Sequence, residues 1–168
     1  MRRFAIALII SAVVGPACSA IGSTVSPSGE DGGAPAASAP LAATSVASEL
    51  SLCAEETNRY RASVGLGPLI RSAALEDFAA HAATIDGAAH RAHDHFTSTN
   101  GDGVSRAETE ILWWRGFTVQ AVVQRGLAQM WQVGPGGEHY DIMAGPYSEI
   151  GCGIAVNGGE VTVTQDFR

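Results

Sequence analysis

The chain has 168 residues and a formal net charge of −7, and its ten basic residues are all arginine. That length suits one domain plus a tail. An acidic balance with scattered arginines excludes the basic stripe that nucleic acid requires, and it excludes electrostatic attachment to an anionic membrane surface.

The N-terminus reads as a targeting segment. Arg2 and Arg3 precede the apolar run Phe4 to Val14, and Gly15, Pro16, Ala17 and Cys18 follow. This is the charged, apolar and small-residue order of a secretory signal. The run is too short to span a bilayer, which takes about 20 residues. Export is therefore expected, with residues 1–18 as signal peptide. Two outcomes stay open at its end. "GPAC" resembles a lipobox, so cleavage before Cys18 with lipidation of its thiol would give an envelope lipoprotein. Cleavage near Ala20 would release an extracellular protein.

Residues 19–47 are rich in Ser, Ala, Gly and Pro and hold no aromatic residue. Such a composition buries too little apolar surface to offset its ordering entropy, so a disordered linker is expected. The folded domain is placed at 48–168.

The domain's first helix is expected from Ser48, as cap, to the Gly65, Gly67 and Pro68 stop, with Leu52, Glu56, Tyr60 and Val64 on one stripe. A second follows Ser72, with Leu75, Phe78, Ala79, Ala82 and Ile85 at helical spacing and Gly87 as its end. The clearest helix starts after Thr118: Val119, Val122, Val123, Leu127, Met130 and Trp131 keep a three-four spacing up to Gly134-Pro135-Gly136. The C-terminus reads as a hairpin turning at Asn157-Gly158-Gly159. Val161, Val163, Gln165 and Phe167 alternate with polar residues, which predicts one buried face. Helices first and an antiparallel hairpin last point to an α+β fold.

No phosphate loop, G-x-S-x-G, H-E-x-x-H or C-x-x-C is present. Chemistry therefore rests on histidine and carboxylate. Four histidines fall at 81, 90, 93 and 95, and the fifth, His139, follows a glycine-rich turn beside Glu138. In extended chain His93 and His95 would point the same way and could share one metal ion. A histidine and carboxylate set suits zinc, copper or nickel better than magnesium. The bland alternative is a solvated polar loop. Cys18, Cys53 and Cys152 make an odd count. Removing Cys18 leaves a pair whose bond would close a loop of about 100 residues, worth roughly 4–5 kcal/mol on the chain-entropy model. Two separate buried thiols are the alternative.

Several stretches carry a family resemblance. "TNRYRASVGLGPLIRSAALEDFAAHAA" is similar to the opening of the CAP superfamily, which comprises cysteine-rich secretory proteins, antigen 5 and pathogenesis-related class 1 proteins. "GGEHYDIMAGPYSEIGCGIAV" resembles its G-H-Y signature and following strand, and "TEILWW" looks like a worn G-E-N-L-A-W. "VTVTQDF" resembles the closing strand. The resemblance covers roughly residues 50–168. It implies a three-layer α-β-α sandwich with a central antiparallel sheet, and a cleft holding two histidines and one or two glutamates.

Carried over by position, His139 matches the second family histidine and His95, ahead of His93, the first. Glu110 matches the motif glutamate, with Glu108 as fallback. The second glutamate is absent: Gln132, Val133 and Gly134 stand where it is expected, and Glu138 replaces the glycine of G-H-Y. The expected function is an exported, non-enzymatic binding module whose His/Glu cleft takes a divalent metal such as zinc, or a small ligand. Its partner would be a protein, a lipid or a small molecule, with membrane contact only through a lipid anchor. A metal-assisted hydrolase using Glu110 and His139 is the first alternative, and a purely structural envelope protein the second.

Overall fold

A computed structural model describes residues 41–168. Cys18, the signal segment and most of the expected linker lie outside them. Helix α1 spans Leu41–Ser63. It starts ahead of Ser48, which lies inside the helix rather than at its cap. The physical reason is local: from Leu41 to Val64 the sequence holds neither glycine nor proline. Gly65, at φ 79, ends it. Its inward face is Cys53, Ala54, Thr57 and Arg61, one step round from the expected stripe. Val64 is 49% exposed. Thr57 and Arg61 displace the apolar pattern because each has partners inside. The Thr57 hydroxyl accepts from Gln165 Nε2 at 2.6 Å, and Arg61 donates to the carbonyls of Gly67, Met143 and Gly145.

The short strand β1 (Ile70–Arg71) leads into α2 (Ala73–Ala89). Ser72 holds the cap position, but its backbone carbonyl, not its hydroxyl, takes the first helical bond, from Glu76 N–H at 2.9 Å. Gly87 does not end the helix, which runs on to a left-handed His90 at φ 52. A Cβ at Gly87 would lie 2.9 Å from Thr162 Oγ1, so this glycine lets the helix lie against the sheet. Ile85 is 42% exposed, and the buried residues of this turn are Asp86 and Gly87.

After α3 (Asp94–Thr99) and a 3-10 turn at Asn100–Gly103 come strand β2 (Ala107–Arg115) and helix α4 (Val119–Gln132). Helix α4 follows the sequence pattern: Val122, Val123, Leu127 and Met130 are buried, and the Thr118 hydroxyl accepts from Ala121 N–H at 3.2 Å. Helix α5 (Glu138–Met143) precedes the hairpin of β3 (Glu149–Asn157) and β4 (Glu160–Phe167). The hairpin closes through Gly158 and Gly159 at φ 55 and 82, the backbone a two-residue turn of this hand requires.

The sheet order is β1-β3-β4-β2. Strand β1 runs parallel to β3 and the other pairs are antiparallel, so the sheet is mixed rather than purely antiparallel. Strand β4 is central and is covered on both faces. Val161, Val163 and Phe167 join the core with Cys53, Val122 and Leu127. Thr162, Thr164 and Asp166 on the other face are also buried, beneath α2. The alternation in β4 thus separates a face that is apolar except for Gln165 from a polar one, both shielded. With α2 on one side and α1 and α4 on the other, the domain is the expected α-β-α sandwich.

Two devices clamp the layers. Cys53 and Cys152 form a disulfide, with Cα atoms 6.4 Å apart, joining α1 to β3 across a sequence separation of 99. Gly151 and Gly153 seat α2 on β3, since a Cβ at Gly153 would fall 2.1 Å from the Ala79 carbonyl oxygen. Gly153→Ala is therefore expected to lower unfolding free energy by about 3 kcal/mol or more, the upper range for overpacking. Urea denaturation measures this, and a loss below about 1 kcal/mol would refute the close-approach account.

Candidate functional site: a histidine over buried carboxylates

Strand β2 alternates between two environments. The Thr109 hydroxyl donates to Gln165 Oε1 at 3.0 Å on the α1 side, and Ile111 joins the same core. Glu108 and Glu110 therefore face the α2 side. In register they lie across from Asp166 and Thr164 of β4. Both are buried, with side chains 1% and 0% exposed.

Between α2 and α3 the chain turns through His93, a left-handed residue at φ 56. Two carboxylates hold it there. Its backbone N–H donates to Glu110 Oε2 at 2.7 Å, and its ring Nδ1 lies 2.8 Å from Glu108 Oε1. The Thr164 hydroxyl donates to the other Glu110 oxygen at 3.1 Å. A histidine kept at positive φ by so many contacts is the kind of local strain that gathers at functional sites. His93, Glu108 and Glu110 each bring one potential ligand atom within 4.8 Å of the others.

His95, favoured from the sequence, is not in this group. The expected equivalence of His93 and His95 required extended chain, whereas His93 caps α3 and His95 lies inside it. The His95 ring packs on Phe78 at 4.8 Å between centroids, and its backbone N–H donates to Asp86 Oδ1 at 2.9 Å. Glu108 joins Glu110 rather than replacing it, so both acids come from β2. None is needed from the end of α4, where Val133 is 55% exposed.

His139 reaches the site by a different route. Gly134 and Gly136, at φ 73 and 89, turn the chain after α4. Gly136 N–H is bound by Asp141 Oδ1 at 3.0 Å, and the Trp131 and Tyr140 rings lie 4.3 Å apart, fixing α5 against α4. His139 then lines two cavities. One, about 240 Å³, includes Glu110, Ile111, Trp114 and Met130. The other, about 400 Å³, includes His93, Phe96, Arg106, Glu108 and Glu138. Residues 110 and 139 thus share a hollow, and Glu138 faces the hollow that His93 lines.

Two members of the site escaped sequence reading, Asp86 and Asp166. Both are fully buried. Within the described residues Asp86 Oδ2, Glu108 Oε2 and both Asp166 carboxylate oxygens have no hydrogen-bond partner. The signal in the sequence is an acid at an inward position of an apolar helix, and another in the strand "VTVTQDF". Burial dominates the electrostatics. It pushes Asp166 up to about 8, with Glu108 and Glu110 adding to the rise. It pushes Glu110 up to about 7 against the bond from His93 N–H, and raises Glu108 against its bond to His93. His93 is raised chiefly by the Glu108 bond, against burial.

These shifts fix the sign of a pH effect. The folded domain holds protons on Glu110 and Asp166 that an unfolded chain, with carboxyls titrating near 4, would release. Stability from these groups therefore falls as pH rises from about 4 and is lost once pH passes about 8. His93 acts in the same direction, its share being full below about 6.5 and lost above its raised value. Asp166→Asn should stabilise the metal-free protein by a gain that grows with pH and reaches a few kcal/mol above about pH 8. Thermal denaturation of both proteins across that range is the check, and a pH-independent difference would contradict it.

The profile of the cysteine-rich secretory protein family, CAP, matches residues 54–167. No curated protein sequence matches the chain significantly. Among solved structures, an outer surface protein of Borrelia burgdorferi superposes with a TM-score of 0.52 at 14% identity, covering 71% of this chain and 91% of that one. At such an identity this neighbour speaks for the fold alone. A cysteine-rich secretory protein of Staphylococcus aureus superposes with a TM-score of 0.49 at 16% identity. That match covers 73% of this chain but spans only 39% of the staphylococcal one. The family match covers the sheet, helices α2 to α5 and every residue of the His/Glu group, and the chain belongs to the cysteine-rich secretory protein (CAP) family.

Proposed function

We propose that this CAP domain is an exported, non-enzymatic binding module whose cleft takes a divalent metal between His93 and His139. The observation that carries the reading is the use of the His93 ring. Nδ1 is engaged by Glu108, which leaves Nε2 without a partner among the described residues. The ring is 39% exposed on a cavity that His139 also lines. A carboxylate behind one imidazole nitrogen, with the other nitrogen free, is the arrangement that fixes tautomer and orientation in metal-binding histidines. The donor set fits the group: imidazole and carboxylate suit zinc or a similar borderline metal. When bound, such an ion supplies a Lewis-acidic centre for a ligand atom. Glu108 orients His93, Glu110 holds its backbone, and Glu138, which lines the same cavity, is the carboxylate available as a further ligand.

A hydrolytic reading has one favourable feature, the Glu110 carboxyl at about 7, where a general base works best. Against it, both Glu110 oxygens are engaged and the side chain is shielded, so it does not meet a substrate. Binding is the better supported role. Export draws support from the Arg2-Arg3 apolar segment, and the Cys53–Cys152 bond suits an oxidising compartment. Tethering through Cys18 is proposed with it, and radiolabelled palmitate uptake lost in Cys18→Ala is its test.

Zinc calorimetry tests the site. His93→Ala and His139→Ala should each weaken binding about tenfold or more, Glu108→Gln by about 10–100-fold through lost orientation, and His95→Ala should leave it unchanged. Affinity should rise with pH, because the metal displaces the proton that His93 holds. Equal heats for wild type and His139→Ala would remove the metal reading. Turnover of ester or peptide substrates that requires Glu110 and His139 would instead favour the hydrolase.

A further inference from the structure

The chain is acidic, and its described arginines are almost all engaged. Arg59, Arg71, Arg91, Arg115 and Arg168 pair with carboxylates. Arg61 binds three carbonyls, and Arg125 lies over the Phe117 ring at 5.0 Å. Arg106 is the exception. Its backbone N–H bonds to the Phe167 carbonyl, but its guanidinium has no partner among the described residues. It is exposed to solvent, but at the edge of a hollow rather than on a convex surface. It lines the 400 Å³ cavity together with His93, Phe96, Thr97, Ile142 and His139.

The carboxylates of this cavity do not take the role of partner. Glu108 is shielded and turned to His93. Glu138 belongs to α5 and makes no ion pair with Arg106. A guanidinium presents a planar fork of donors that matches a carboxylate or phosphate with two parallel bonds. Phe96 and Ile142 add apolar surface to the same cavity, and 400 Å³ falls within the range of about 300–1,000 Å³ usual for small-ligand sites.

We propose that Arg106 is the recognition residue for an anionic group on a small amphipathic ligand of this cavity. The carboxylate or phosphate seats on the guanidinium, and an apolar body lies along Phe96 and Ile142 toward His139. The assignment rests on reading the cleft as a binding site, and it does not require the metal. It names the ligand class, a compact organic anion, and it distinguishes the guanidinium's part in the cleft from that of the imidazoles.

The test uses the full chain, treated with chelator, and four probes of one shape: phenylacetate, phenyl phosphate, phenylacetamide and benzylammonium. Amide chemical shifts of the 93–97 and 106–108 segments read binding. The anions should bind about tenfold or more tighter than the neutral amide, and benzylammonium should bind most weakly. Of the two anions, the tighter one identifies the head group. Arg106→Gln should bring anion and amide to parity while leaving the melting temperature of the protein unchanged. Arg125→Gln, which removes an equal charge elsewhere, should keep the anion preference. Equal binding of all four probes by the wild type, or an anion preference that survives Arg106→Gln, overturns the proposal. Zinc heats that fail while the anion preference holds would remove the metal reading alone.

Discussion

The site depends on one carboxylate. Glu110 accepts the His93 backbone N–H with one oxygen and the Thr164 hydroxyl with the other. Without that grip the His93 backbone N–H would lose its partner, and only the ring contact to Glu108 and the α3 bond to its carbonyl would hold the residue at positive φ. The grip also sets a problem. Asp86, Glu108, Glu110 and Asp166 are all buried on this side of the sheet, with one imidazole among them. Buried charges without partners are costly. The molecule must therefore keep protons on some of these acids, as the upward displacement of Glu110 and Asp166 indicates, or hold a cation nearby. A domain selected for packing alone would have placed Asn, Thr or aliphatic residues here.

That unfavourable layer is tolerated because the surrounding frame is rigid. Gly151 and Gly153 bring α2 onto β3 at backbone distance, and Gly87 repeats the device beside Asp86. On the opposite face the disulfide anchors α1 to β3, and Arg61 ties α1 to the carbonyls of Met143 and Gly145 at the end of α5 and just after it. Helix α5 carries His139, so the same buried guanidinium that stabilises α1 also fixes one wall of the cleft. Site geometry and fold stability thus share residues, the condition for a preorganised set of ligand groups.

How much of this the sequence disclosed follows from the kind of interaction each part uses. Helix α4, the hairpin and its glycine turn were legible because local chemistry decides them: a three-four apolar spacing, a Thr cap and paired glycines at positive φ. The family likeness was legible because its motifs sit on those same elements. His93 was not separable from His95, because their difference lies in one left-handed residue that two distant carboxylates, Glu108 and Glu110, hold in place. The second buried face of β4 was hidden for a related reason. Thr162, Thr164 and Asp166 read as solvent-facing until α2 covers them. The inward face of α1 was misplaced by one step because Thr57 and Arg61 are polar residues satisfied at long range, by Gln165 and by the carbonyls around the end of α5. Polar burial is decided by tertiary partners, and a single sequence does not print them.

The same separation of layers bears on what the cleft can attract. The net charge of −7 and the buried acids suggest a cation-seeking surface. Yet the carboxylates of Glu108 and Glu110 are sealed from solvent, and what remains to line the 400 Å³ cavity is the His93 ring, His139 and Arg106, with Glu138 alone opposing them in charge. The buried acids act through the imidazole they hold, raising its hold on a proton, rather than by direct contact with a ligand. Field and contact surface therefore differ in sign. A group approaching from solvent meets nitrogen donors first, and the acids behind them determine whether His93 presents a proton or a lone pair to it.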